Sequence, residues 1–263
     1  MDLGLAGKRV LVAAASKGLG RAIAAEFVRE AAQVAICSRD PARVAQVATE
    51  LGGGTIGIAA DVGTDEGCRR FVGESVKRLG GIDVLIVNAG GPKPGTFADL
   101  DDAAWRTAFE LTLLSAVRLT RLALPELKRS KGAIVFSTST SVRQPGAPAY
   151  GTLMLSNGLR AAVHGLLKTL ATELAADGIR VNAIQPGRIS TERITELDAD
   201  TARREGIPIE KVRERFEKAV IPLGRYGRPE EFAAAAVFLA SPRASYITGV
   251  SLQIDGGMLT SMW

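Results

Sequence analysis

The sequence predicts a single α/β domain built on a doubly wound parallel sheet with helices on both faces. Three observations carry that expectation. Short apolar runs alternate with amphipathic segments along most of the chain. A glycine-containing turn, Gly18-Leu19-Gly20, joins the first apolar run to the first amphipathic segment. Finally, 263 residues at 46% hydrophobic content can bury a substantial core without a second domain.

Strands are expected at 9–13, 33–37, 55–59, 84–87, 133–136, 179–184 and 251–254. Six of the seven are short and apolar enough to be covered on both faces, which a parallel sheet requires. Helices are expected at about 18–31, 41–51, 65–79, 102–128, 153–176 and 229–240. Acidic first turns such as Asp65-Glu66 and Pro229-Glu230-Glu231 complement the positive end of the helix dipole. The segment 188–228 interrupts the alternation with ten basic and eight acidic residues. It reads either as a solvated helical lid or as a cover that draws in an anionic substrate.

The formal charge of +5 is spread along the chain among 28 acids, so no nucleic-acid-binding tail is expected. Cys37 and Cys68 are too few for a disulfide framework and lack metal-ligand spacing, so they read as buried thiols and no metal is expected. The opening residues include an acid and show no basic-then-apolar order, and no apolar run approaches roughly 18 residues. A soluble, cytoplasmic protein with no membrane partner is the expectation.

The first chemical motif is Ala13-Ala14-Ala15-Ser16-Lys17-Gly18-Leu19-Gly20, between a strand and a helix. Glycines there let the backbone approach a pyrophosphate, whose charge is met by exposed N–H groups and the helix N-terminus. At the end of the second strand, an acid would accept both ribose hydroxyls of NAD(H) and repel a 2′-phosphate. The chain instead has Ser38-Arg39, with Lys17 nearby, which favours NADP(H) unless Arg39 is engaged by Asp40 or a surface carboxylate.

Further short motifs follow in order: Asp61-Val62, Asn88-Ala89-Gly90-Gly91, Pro186-Gly187 with Ile189 and Thr191, Ile247-Thr248-Gly249, and Asp255-Gly256-Gly257. With the glycine loop, they give the chain a resemblance to the short-chain dehydrogenase/reductase family that runs over essentially its whole length. The resemblance implies a Rossmann-type fold and an oxidoreductase. It implies that Asp61 bonds the adenine, that Asn88, Ala89 and Gly90 support the cofactor pocket, and that the stretch from Pro186 to Thr191 flanks the nicotinamide. Gly90 to Gly95 and Leu155 to Arg160 also resemble members described as similar to 3-oxoacyl-carrier-protein reductases. The loop's usual Thr-Gly opening is Ala13-Ala14 here, which is tolerable at negative φ and costly at positive φ.

The family's reaction uses a tyrosine that exchanges a proton with the substrate oxygen and a lysine four residues later that lowers the phenol's pKa. No Tyr-x-x-x-Lys occurs in this sequence. Anchoring on Gly165-Leu166-Leu167-Lys168 and Glu173 puts Ser156 at the tyrosine position, Arg160 at the lysine position and Ser139 at the substrate serine. The family's asparagine position then falls near Thr112. The competing anchor uses Tyr150, thirteen residues after Ser137, but Met154 then stands where the lysine should. A six-residue slide would turn a buried helix by about 240° and bury the wrong face, which favours the first anchor. Tyr150 can still reach the site from its Pro- and Gly-containing loop, or pack at the surface. His164, the only histidine, reads as a packing or interface residue beside apolar neighbours.

The leading expectation is an NADP(H)-dependent reductase of a ketone or aldehyde, or the reverse dehydrogenase, in which Ser139, Arg160 and either Tyr150 or a Ser156-bound water serve the oxygen. Alternatives are an NADP(H)-binding sensor or structural protein without turnover, and a cofactor-independent lyase or dehalogenase-like enzyme. The family resemblance also implies a homotetramer or dimer formed through the long helices at 102–128 and 153–176.

Overall fold

The computed structural model describes residues 2–145 and 153–261. Among these, seven strands form one parallel sheet in the order β3-β2-β1-β4-β5-β6-β7. They are β1 (Arg9–Val12), β2 (Gln33–Ser38), β3 (Ile56–Ala59), β4 (Val84–Val87), β5 (Ala133–Ser137), β6 (Arg180–Pro186) and β7 (Ser251–Ile254). Each lies within two residues of its expected ends. Every residue of β4 and β5 is buried, as a strand covered on both faces demands, whereas edge strand β7 is at least partly exposed throughout.

The helices are α1 (Gly18–Arg29), α2 (Pro41–Leu51), α3 (Asp65–Leu79), α4 (Asp102–Phe109), α5 (Ser115–Ser130), α6 (Met154–Glu173), α7 (Glu192–Glu205), α8 (Ile209–Arg215) and α9 (Pro229–Ala240). They cover the sheet from both sides. One core layer joins Phe71, Leu119, Leu127, Val163 and Leu167 of α3, α5 and α6 to the sheet. The other joins Ile23, Phe27, Val47, Phe232 and Val237 of α1, α2 and α9. The doubly wound α/β architecture is therefore the observed one.

Two expectations are corrected. The helix expected at 102–128 is interrupted by a π-helical turn, Glu110–Leu114, which places Thr112 in the interior. The segment 188–228 is not simply a solvated lid. Arg188 and Asp198 are buried and form an ion pair at 2.5 Å, the Tyr226 hydroxyl donates to Asp198, and the Arg188 guanidinium lies 3.7 Å from the Phe216 ring centroid. Sequence composition counts charges but does not say which pair turns inward.

In chain order the sheet grows from β1 outward to β3, then restarts on the other side of β1 with β4. That reversal opens a crevice at the carboxyl ends of the strands. No helix among the described residues is long and apolar enough to cross a membrane.

Candidate active site

A cavity of about 690 Å³ occupies this crevice and is roofed by α7 and α8. At one end lies the loop between β1 and α1. The helices α2, α3, α4 and α7 are capped by the side chains of Asp40, Thr64, Asp101 and Thr191. Helix α1 has no side-chain cap and no acid in its first turn. Its leading N–H groups therefore lack the side-chain partner those four helices have, and they stand beside a cavity lined by Ser16, Lys17, Gly18, Leu19 and Gly20.

The loop is tied down from across the sheet. The Asn88 amide donates to the carbonyls of Ala13 and Ala14, each at 3.1 Å. A Cβ at Gly20 would stand 2.6 Å from the Ala14 carbonyl oxygen and 2.8 Å from Asn88 Nδ2, so no side chain fits. Ala14 has φ +49°, the costly alternative for an alanine, worth about 1–2 kcal/mol of strain. Its N–H donates to Cys37 Sγ at 3.4 Å, which helps hold the turn. Burial pushes that thiol up to about 12, so it stays protonated at neutral pH.

Beyond the loop, Ser38 and Arg39 line the cavity at the end of β2. Asp40 is occupied in accepting the Arg43 N–H, and Arg39 forms no ion pair among the described residues. Lys17 lies 3.9 Å from Glu196 of α7. Asp61 and Val62 follow β3, with the Asp61 carboxylate accepting the Gly63 N–H. Ala89, Gly90, Pro186, Gly187, Ile189 and Thr191 complete the wall.

Ser139, Ser156 and Arg160 share the other end of the same cavity. Ser156 and Arg160 are one turn apart on α6, so their side chains project from one face of the helix. Ser156 is buried, and its hydroxyl makes no hydrogen bond to the described residues. Ser139 caps the short turn Thr140–Val142 by accepting the Ser141 N–H. Arg160 Nη1 donates to the Ser137 carbonyl at 2.7 Å, and no carboxylate pairs with its guanidinium among the described residues. Burial, reinforced by the charge of Arg193, pulls the Arg160 pKa down to about 10, which leaves it cationic at neutral pH. Tyr150 lies outside the described residues.

His164 corrects a reading of the sequence. Its Nε2 lies 2.9 Å from Thr138 Oγ1 and 3.2 Å from Gln185 Nε2, a polar setting rather than an apolar one. Burial and the nearby Arg143, Arg160 and Lys168 push its pKa down to about 4. The imidazole is neutral at pH 7 and supports the strand end that carries Ser137 to Ser139. Thr112 is buried, and its hydroxyl finds no partner among the described residues.

Sequence reasoning missed Arg193. From α7 its Nη2 donates to the Pro92 carbonyl at 2.7 Å, and a Cβ at Gly91 would lie 2.6 Å from its Nε. The doublet Gly90-Gly91 was the available signal, because the second glycine leaves room for a guanidinium.

The family model described as Enoyl-(Acyl carrier protein) reductase matches residues 13–259. The chain is 38% identical over 253 residues to L-fucose dehydrogenase of Bos taurus, covering 96% of this chain and 89% of that one. The chain belongs to the short-chain dehydrogenase/reductase family. This dehydrogenase/reductase is also 36% identical over 260 residues to dehydrogenase/reductase SDR family member 4 of Bos taurus, covering 97% of its own length and 88% of that protein. Among solved structures it superposes with a TM-score of 0.92 on L-sorbose reductase from Gluconobacter frateurii complexed with NADPH and L-sorbose, at 33% identity and full coverage of both chains. The family comprises oxidoreductases of CH–OH and C=O groups that bind nicotinamide cofactors. The uncapped start of α1 beside the cavity fits such a group in this short-chain dehydrogenase/reductase.

Proposed function

We propose that the protein is an NADP(H)-dependent oxidoreductase that reduces a ketone or aldehyde, or oxidises the corresponding alcohol. The observation that carries the reading is a single cavity with an uncapped helix start and the Arg39 cation at one end, and Ser139, Ser156 and Arg160 at the other. The bound nicotinamide would supply the hydride. The glycine loop and α1 would hold the pyrophosphate, and Arg39 with Lys17 the 2′-phosphate. Asp61 and Val62 would flank the adenine, while Asn88, Ala89, Gly90, Pro186, Gly187, Ile189 and Thr191 would shape the nicotinamide side. The crystal neighbour with NADPH bound supports the cofactor preference.

At the substrate, the hydroxyls of Ser139 and Ser156 would hold the oxygen. The fixed guanidinium of Arg160 would stabilise negative charge developing there, since it is preorganised by Ser137 and need not reorient during reaction. Serine is a poor acid at neutral pH, so a water on Ser156 or the Tyr150 phenol would deliver the proton. The segment 188–228 would act as the lid. A second reading, cofactor binding without turnover, is favoured by one observation: the sequence has no Tyr-x-x-x-Lys, and the helix anchor would put Ser156 and Arg160 at those positions. We also propose a soluble, cytoplasmic homo-oligomer, dimer or tetramer, with a small carbonyl or alcohol as substrate.

The test is titration with NADPH and NADH, read by nicotinamide fluorescence, followed by ketones and aldehydes with NADPH absorbance monitored. Tight NADPH binding with oxidation on a carbonyl supports the reductase reading. Tight binding with no turnover moves the conclusion to a sensor, and absence of binding removes both.

A further inference from the structure

The five residues from Ser137 to Ser141 all carry hydroxyls, and the first three line the cavity. Their hydroxyls are committed differently. The Thr138 hydroxyl donates to the Ile184 carbonyl at 3.2 Å and the Thr140 hydroxyl to the Pro186 carbonyl at 3.1 Å, so both are turned toward β6. Ser139 is half-buried at the cavity wall. Its Oγ accepts the Ser141 N–H at 3.2 Å and lies 2.8 Å from Ser141 Oγ.

Burial decides which of these two hydroxyls donates. Ser141 is fully buried, and Ser139 Oγ is the one partner its hydroxyl has among the described residues. If Ser139 donated to Ser141, the Ser141 hydrogen would be sealed in the interior with no acceptor, at the full cost of its lost hydration. The opposite direction strands nothing. Ser141 donates, and Ser139 turns its own hydrogen to the cavity, where water or a ligand accepts it. The Ser139 oxygen then receives two hydrogen bonds, one from N–H and one from O–H. Both polarise it, which makes its own O–H a stronger donor.

We infer that Ser141 is a positioning residue, which fixes Ser139 as a preorganised hydrogen-bond donor to the carbonyl oxygen of the substrate. Ser139 gives up no proton in this role. As negative charge grows on the substrate oxygen, the Ser139 O–H bond stays intact and its hydrogen bond strengthens, with no rotation required at that moment. The role of Ser141 in turnover rests on the reductase reading above, whereas the direction of its hydrogen bond to Ser139 does not.

A double-mutant cycle is the test. NADPH oxidation by cyclohexanone and by dihydroxyacetone is measured for the unmodified enzyme, Ser141→Ala, Ser139→Ala and the double variant, with NADPH affinity taken from nicotinamide fluorescence. Ser139→Ala is expected to lower kcat about 100-fold and Ser141→Ala about tenfold, with NADPH affinity unchanged in both. The double variant should be no slower than Ser139→Ala, because Ser141 acts through Ser139. A further tenfold loss on the Ser139→Ala background would overturn the inference, since damage to the turn would then explain the effect. Full activity in Ser141→Ala would overturn it as well. A second measurement needs no turnover: the C=O stretching frequency of cyclohexanone bound together with NADP+, which has no hydride to give. That frequency is expected to rise in Ser141→Ala and Ser139→Ala alike as the donated hydrogen bond weakens, and a frequency indifferent to Ser141 would overturn the inference. No oxidation of NADPH by either ketone, with the frequency change present, sinks the reductase reading and leaves the Ser141–Ser139 arrangement standing; without that change both fall.

Discussion

At the scale of single residues, Ala14 shows a local rule broken at a functional place. Its φ of +49° is one a glycine would adopt without penalty, yet the methyl is retained and the turn is held by Asn88 and Cys37. Ala14→Gly should remove about 1–2 kcal/mol of strain and restore about 0.4–1 kcal/mol of chain entropy to the unfolded state. The net gain of about 1 kcal/mol should raise Tm by about 2–4 °C in a thermal melt; a lower Tm would contradict the strained assignment. In the same cavity, Arg39→Ala should weaken NADPH by about tenfold and leave NADH unchanged, as fluorescence titration would show. His164 gives a pH test. Its pKa in the fold, about 4, lies below the ordinary 6.5, so the unfolded chain binds a proton first as pH falls. The contribution is complete above about pH 6.5 and is lost on the way down to about pH 4. Denaturant midpoints should therefore decline through that window, and His164→Gln should flatten the decline. An unchanged slope in the variant would refute the assignment.

Elements were legible in the sequence wherever their signal is local. The apolar runs of β1, β4 and β5 name buried parallel strands because both faces must be apolar, and Asp65-Glu66 and Pro229-Glu230-Glu231 mark the first turns of α3 and α9. Ser156 and Arg160 could be placed on one face of α6 because four residues make a turn. What stayed hidden depends on long-range packing. The π-helical turn at Glu110–Leu114 has the composition of ordinary helix. Arg188 and Asp198 are ten residues apart in a segment full of charge, and only the fold selects them for burial. Arg193 reaches Pro92 across 101 residues of sequence. Breaking the buried pair tests how the roof is held. Asp198→Ala would remove the buried carboxylate that faces the Arg188 cation and should cost about 3–5 kcal/mol, seen as faster hydrogen exchange in α7 and α8. Unaltered protection there would mean that the roof is anchored elsewhere.

For the whole molecule, the sheet ends in a partly exposed edge. Leu252 of β7 and the neighbouring Val250 and Tyr246 present apolar surface at that edge. The proposed homo-oligomer predicts a sedimentation mass of two or four chains, and a monomer at all concentrations would refute it. The tether from Asn88 to Ala13 and Ala14 has a wider bearing. The glycine turn belongs to the first strand and helix, but it is held by a side chain just past the fourth strand, some 75 residues later. A chain with only its amino-terminal part docked would have the glycines without the geometry. Ligand affinity is thus a property of the finished fold, and NADPH should act as a global stabiliser, raising the melting temperature with the logarithm of its concentration once it exceeds Kd.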